Sequence, residues 1–580
     1  MKWNSYDSFL QFDFKVNQQL SPIQFVNPLE IISTFKIEEV NDCLQKINKA
    51  VIAGKYVAGY LSYEASYALY SVKNGEVNSN MPILWFGVYD SPAKFTKQKT
   101  FSFHTDKWQI GSSKDNYKKT FDKIMQELKR DTFKQINYTV PFYTTFTGDT
   151  FAYYKQLKNA QQSHYNAFLK IKNKHILSIS PELFFHLNNN EITVKPMKGT
   201  VHRGKTNHED QKLKEWLQTS KKNKLENDLS VQLMKNELNS IVIPNSITLT
   251  EKYSIEQFPT LYQMTSTIIG EISRKIEVTD IIRHLFPSVS ITGTPKSSAI
   301  NYIKQIEAQP RNVYCGAIGY ITPMREAIFN VPIRTVVIDK AKGKATYNAG
   351  GAITLNSNVE EEYEEMITKT KILHTNFQTF QLLETIGLHD GKLSVLDLHL
   401  NRLKQSANYF NFNVLIDNIK KDLLNFEHTH SQGHWKIRLL TYITGKYSIE
   451  ISPLEETNTN KFIIAKSPID KENYFLYHKT TIRKMYEIHQ VNHSEIFDTL
   501  LWNINGEITE FTIGNVVVNI DGELLTPPTE CGLLPGTFRE RLLQEGKIKE
   551  GIIFKEDLKK CTNIWLINSV RHWVEMSYQQ

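Results

Sequence analysis

At 580 residues the chain is too long for one ordinary hydrophobic core, so two or more domains are expected. Forty per cent hydrophobic and 22% charged residues make the balance of a soluble globular protein, and a formal net charge of +8, spread thinly, argues against a dedicated nucleic-acid surface. Four scattered cysteines without paired spacing (Cys43, Cys315, Cys531, Cys561) exclude a zinc module and point to a reducing compartment. The first thirty residues have no apolar core of signal-peptide type and no run reaches membrane-spanning length, so a cytoplasmic protein without membrane or nucleic-acid partners is expected.

Taken in order, residues 57–64 (VAGYLSYE) and 82–90 (PILWFGVYD) read as strands bounded by turn residues. Residues 117–128 have helical spacing, and 135–139 begin another strand. The most informative stretch is 178–206, SISPELFFHLNNNEITVKPMKGTVHRGKT. Lys198 stands there between Pro196-Met197 and Gly199-Thr200. Proline fixes φ on one side and glycine permits close approach on the other, which holds a lysine in place. Residues 191–196 alternate polar and apolar and end in proline, the mark of an edge or one-sided strand. That alternation matters because residues 199–206 also satisfy the phosphate-loop pattern GxxxxGK[ST]. A nucleotide loop follows a strand buried on both faces, so a nucleotide-binding module stands only as a rival.

Residues 207–235 read as helix, weakly broken, and contain Glu226. Residues 258–267 and 314–320 read as strands, as do 329–335. Between them lies 287–296, PSVSITGTPK, whose Lys296 opens a helix. Arg334 has the planar fork that suits a carboxylate, although a surface salt bridge is the simpler reading of it. Gly350 and Gly351 leave backbone free for close approach. Acidic residues at 360–365 complement a helix start. Glu362 and Glu365, three apart, share a face, and with Glu226 they make three carboxylates able to hold one Mg2+. The composition then changes without a floppy linker, and a boundary is placed near His374, giving domains 1–373 and 374–580.

Two resemblances organise these motifs. Residues 196–200, PMKGT, resemble the signature of chorismate-utilising enzymes, in the version with lysine at the third position that marks the aminodeoxychorismate synthases; anthranilate synthases carry alanine there. The resemblance implies that Lys198 adds covalently to the chorismate ring as the 4-hydroxyl leaves. It makes Glu182 the general acid, which needs an apolar pocket to keep its proton, and Leu183 and Phe184 are suitable neighbours. It assigns Glu226, Glu362 and Glu365 to magnesium, and Thr200, Tyr314, Arg334, Gly350 and Gly351 to the substrate. Gln232 and Lys235 depart from its usual aspartate and arginine, and no histidine stands beside Tyr262-Gln263, where anthranilate synthases carry one.

From residue 380 the chain is similar to the fold-type IV pyridoxal-phosphate enzymes. The match runs through His399-Leu-Asn-Arg402, Tyr477-His-Lys479-Thr-Thr-Ile-Arg483, Gly506-Glu-Ile-Thr-Glu510, Asn515, Gly532–Arg539 and Asn568-Ser569. It implies that Lys479 holds the cofactor covalently and moves protons, and that Glu510 faces the pyridine nitrogen. Arg402 and the helix start at Thr537 and Phe538 would take the phosphate, with Asn515 and Ser569 nearby. The expected fold is α/β (α+β): large antiparallel sheets flanked by helices, then a two-subdomain fold-type IV domain. Together the halves would convert chorismate and ammonia into 4-aminobenzoate. No cysteine sits in a Gly-x-Cys-x-Gly elbow, so a separate glutamine amidotransferase is expected as partner, with a homodimer through the rear domain possible. The rivals are an anthranilate- or isochorismate-forming front half joined to an aminotransferase, and the nucleotide-binding module.

Overall fold

The two apolar runs of the first hundred residues form adjacent interior strands, Tyr56–Leu61 and Leu84–Tyr89, antiparallel and buried almost end to end, with Glu30–Thr34 as the edge strand beyond them. Their continuous hydrophobicity reflects cover on both faces. The computed structural model describes residues 8–16, 19–72, 79–259, 261–373, 380–456, 459–491, 493 and 495–579. These divide into two units, one of residues up to His202 with Lys214–Phe377, the other of Arg203–Leu213 with Gln378 onward. The boundary expected near His374 lies in 374–379, outside the described residues.

The first unit is built on two large antiparallel sheets. One carries Gln135–Gly148, Lys344–Ile353, Thr335–Asp339, Lys174–Ser180, Tyr165–Ile171 and Ser8–Val16 side by side. The other runs from Met197–His202 through Leu261–Glu271, Glu191–Val194, Leu183–Asn188, Ala327–Asn330 and Ala317–Ile321 to the pair Tyr56–Leu61 and Leu84–Tyr89 and ends at Glu30–Thr34. Leu10, Phe12 and Phe14 of the first sheet share a buried cluster with Tyr60, Trp85 and Ile318 of the second. A larger cluster gathers helices Val40–Ile52, Lys114–Lys129 and Thr150–Gln161 with the sheets.

Several expectations are refined. Residues 191–194 alternate in burial as expected, yet the strand has neighbours on both sides, so it is one-sided rather than an edge, and Pro196 falls beyond its last paired residue. The helical stretch from 207 is two helices, Asn207–Thr219 and Lys221–Leu238, with Ser220 capping the second by accepting from Asn223 N–H. The strand expected at 329–335 is two strands interrupted at Val331–Arg334, where Arg334 has φ 53°.

In the second unit, Leu382–His389, His434–Thr441 and Tyr447–Pro453 pair antiparallel and pack on helices Leu396–Phe410 and Ile416–Thr429. A nine-stranded sheet holds Asp498–Trp502, Ile508–Phe511, Asn515–Ile520 and Asn563–Asn568, with its own cores. The helix expected to start at Thr537 and Phe538 runs Thr537–Gln544, with Gly536 as its cap. Among the described residues no helix is long and apolar enough to cross a membrane.

Candidate active sites

Glu182 sits in the short connection between strands Lys174–Ser180 and Leu183–Asn188. It is held by backbone: Ser180 Oγ accepts its N–H (3.1 Å) and donates to the Val331 carbonyl (2.6 Å). Only 5% of Glu182 is exposed, and burial pushes its carboxyl up to about 7, against the Ser290 hydroxyl and the nearby Lys198 ammonium. Lys198 lies on Met197–His202 at an irregularity in the pairing with Leu261–Glu271, where Gly199 takes φ 89°. A Cβ on Gly199 would also stand 3.0 Å from Asn223, so glycine is required twice over. The Gln263 amide fastens this bulge, donating to the Gly199 carbonyl (2.9 Å) and accepting from Thr200 Oγ1 (3.0 Å). Burial lowers the Lys198 amine from its ordinary value, with Lys369 adding to the effect and Glu226, Glu182 and Glu365 opposing it. Glu182 and Lys198 line one small cavity of about 20 Å3 with Pro196, Met197, Met234 and Ser290. That is room for about one water molecule.

The remaining expected residues are placed less uniformly. Glu362 accepts from Ser357 Oγ (2.7 Å), Glu365 pairs with Lys369 Nζ (2.6 Å), and Glu226 is exposed on its helix. A Cβ at Gly351 would lie 3.0 Å from Glu362 Oε2 and 3.9 Å from Glu365 Oε1, so the glycine leaves open the face those carboxylates occupy. Their donor chemistry suits a hard cation. However, among the described residues no three His, Cys, Asp or Glu side chains stand together closely enough to hold one. Arg334 donates to the Lys369 carbonyl (2.7 Å), Tyr314 is buried, and Gly350 is pressed against the Tyr138 carbonyl. None of Thr200, Tyr314, Arg334, Gly350 and Gly351 lines the cavity beside Glu182 and Lys198.

The nucleotide-binding rival fails on backbone chemistry. Met197–His202 is antiparallel to its neighbour, and Asp210 already accepts the Gly204 N–H (2.8 Å) while Glu209 accepts that of Lys205 (2.8 Å). Donors needed to cradle a phosphate are taken by carboxylates.

In the second unit a cavity of about 420 Å3 is lined by Lys479, Glu510, Arg402, Asn515, Thr537 and Phe538, among others. Burial lowers the Lys479 amine to about 8, with the Arg402 charge adding to it. Arg402 grips the buried Glu384 through Nε (3.0 Å) and Nη2 (2.5 Å), and His399 Nδ1 meets the same carboxylate at 2.6 Å. Despite its burial, the Glu384 carboxyl is held at about 2 by Arg402 and His399. His399 Nε2 then reaches Ser569 Oγ (2.8 Å) and Thr537 Oγ1 (3.1 Å). Glu510 is pushed up to about 7 by burial. It accepts from Tyr486 Oη (2.8 Å), Leu534 N–H (3.1 Å) and Asn515 Nδ2 (3.2 Å). Asn515 is therefore turned to Glu510, and its Oδ1 would lie 1.8 Å from any Cβ at Gly536. A buried lysine, an anion-accepting helix start that only glycine can precede, and a carboxylate across the same cavity fit pyridoxal phosphate.

Sequence reasoning missed Glu384, Ser290 and Tyr486. Ser290 lies inside the stretch 287–296 already singled out, but its partner is 108 residues away, and Glu384 precedes the first rear-half motif, with its partner Arg402 18 residues on.

Residues 93–375 match the chorismate binding enzyme family, and residues 381–577 match amino-transferase class IV. The two matches follow one another along the chain and do not overlap. The chain is 33% identical over 276 residues to "Aminodeoxychorismate synthase component 1" of Escherichia coli, covering 48% of this chain and 60% of that protein. It is 30% identical over 263 residues to "Anthranilate synthase component 1" of Saccharolobus solfataricus, covering 45% and 62%. The chain thus spans about three fifths of the length of the curated relatives it matches. The crystal structure of anthranilate synthase component I from Streptococcus pneumoniae superposes with a TM-score of 0.51 at 20% identity, over 62% of this chain and 89% of that one, which establishes the shared fold.

Proposed function

We propose that the chorismate-binding half replaces the 4-hydroxyl of chorismate with an amino group from ammonia, and that the class IV half expels pyruvate from the product to leave 4-aminobenzoate. The observation that carries this reading is the meeting of Lys198 and Glu182 across one buried cavity. Glu182, kept protonated by burial, gives its proton to the departing hydroxyl oxygen; the carbon–oxygen bond breaks with its electron pair on oxygen, and water leaves. Lys198, with its amine eased toward neutrality, forms the nitrogen–carbon bond to the ring that ammonia later replaces. Glu362 and Glu365, both near Gly351, are the proposed magnesium carboxylates together with Glu226, which would have to move in to join them, and Thr200, Tyr314, Arg334, Gly350 and Gly351 are the proposed substrate contacts.

Pyridoxal phosphate, when bound in the rear cavity, supplies an electron sink. Lys479 would hold it and move the ring proton of the amino substrate, and Glu510 would keep the proton on the pyridine nitrogen. Arg402, steadied by Glu384, and the backbone N–H groups at Thr537 and Phe538 would take the phosphate, with Ser569 and Asn515 fixing their neighbours. A separate amidotransferase subunit would provide ammonia. Burial raises the chain's own thiols, Cys315 and Cys531 to about 12 and Cys561 to about 11, which disfavours the nucleophilic thiolate that glutamine hydrolysis requires.

The test is product analysis with chorismate, ammonium and pyridoxal phosphate. The reading expects 4-aminobenzoate from the intact chain, the amino-deoxy intermediate from Lys479→Ala, and neither from Lys198→Ala. Anthranilate or isochorismate from the intact chain, or transamination of a 2-oxo acid by the rear half, would favour the rival instead.

A further inference from the structure

Ser290 occupies the one-turn segment Val289–Ile291, far in sequence from Glu182, yet its Oγ donates to Glu182 Oε1 at 2.5 Å. Behind it, Ser288 Oγ lies 2.8 Å from Ser290 Oγ, and Ser288 is 3% exposed. A hydroxyl carries one proton. If Ser290 spends its proton on Glu182, the bond between the serines must run from Ser288 to Ser290, which gives the pair a single direction. Oε1 is then an acceptor only, and the acidic proton resides on Oε2. Thr292 Oγ1, donating to the Ser288 carbonyl (2.9 Å), ties the segment down.

We propose that Ser290, backed by Ser288, is a positioning residue that fixes the Glu182 carboxyl and confines its transferable proton to Oε2, the oxygen left for the substrate. This rests on the reading of Glu182 as the acid of the chorismate-binding half. In the step, the Oε2–H bond breaks, the proton joins the leaving hydroxyl oxygen as water, and the negative charge that remains on Glu182 is met by the hydroxyl already at Oε1. The donor stands where charge develops, so it needs no rearrangement as the bond breaks. The other groups facing Glu182 are the Lys198 amine and the Cys315 thiol, the latter kept neutral by burial at about 12.

The experiment compares the full chain with Ser290→Ala and Ser290→Thr in two readouts. In the pH profile of ammonium-dependent chorismate turnover, loss of the donor should move the limb that falls with rising pH upward by about one pH unit, because a hydrogen bond to the charged form favours ionisation. It should also lower kcat roughly ten-fold, less than the roughly 10²–10⁴-fold that loss of the general acid itself would cost. Ser290→Thr, which keeps the hydroxyl, should restore both. The second readout is the infrared carboxylic-acid band assigned to Glu182 by its absence in Glu182→Gln, titrated without substrate; in Ser290→Ala its midpoint should rise in parallel. A lowered kcat with neither midpoint moved would mean that Ser290 merely packs, and the proposal falls. The infrared titration does not depend on which product forms, so failure of the proposed activity would appear in product analysis, separately from failure of this inference.

Discussion

Buried charge governs the rear site residue by residue. Glu384 is the counter-ion that keeps Arg402 and His399 in place, and removing one partner of a buried pair costs more than never having had it. Glu384→Ala should therefore destabilise the rear half by about 3–5 kcal/mol. Denaturant unfolding followed by a probe in that half measures this, and a change below about 1 kcal/mol would show that the pair is not a structural tie. The Lys479 amine, lowered to about 8, has a definite sign: it is charged below that pH and neutral above it. Attachment of pyridoxal phosphate, followed by its absorbance, should accelerate as pH rises through about 8, and a flat profile would contradict the assignment. In Tyr486→Phe the Glu510 carboxylate loses one of its three donors, so its ionised form is less favoured. Cofactor affinity should fall by about ten-fold in a dialysis titration. At this scale Lys198, Glu182, Lys479 and Glu510 were legible because each sits in a tight local pattern. Ser290, Glu384 and Tyr486 were not, since their roles come from partners the chain brings back from elsewhere.

Elements were legible where one physical signal dominated. The continuous apolar runs at 57–61 and 84–89 became interior strands because they are covered on both faces, the buried Tyr60 hydroxyl finding the Pro82 carbonyl. The break at Ser220 was harder to see, since residues on both sides favour helix and only the cap chemistry separates them. Ser220→Ala should cost about 1 kcal/mol, measured as a loss of stability of the front half. Likewise the split of 329–335 follows from Arg334 at φ 53°, a backbone choice that side-chain pattern does not record. The bulge at Lys198-Gly199 is the element on which the front site turns. Gly199→Ala adds a Cβ against Asn223 in a conformation that disfavours it. It should reduce covalent labelling of Lys198 by an amine-reactive probe well before it unfolds the chain.

For the whole molecule, the order of the halves matches the proposed chemistry: an amine made in the first would be the group a pyridoxal enzyme engages in the second. Both halves place a lysine of lowered basicity on the same cavity as a carboxyl of raised pKa near 7. The sequence motifs conveyed this plan, but not how small the front cavity is, nor that Glu226, Glu362 and Glu365 are not gathered into one cluster. The most direct test is intact and peptide mass spectrometry of the chain incubated with chorismate in the absence of ammonium. The account predicts one added chorismate less one water, located on Lys198 and abolished by Lys198→Ala. An unmodified chain, or an adduct that survives that substitution, would contradict it.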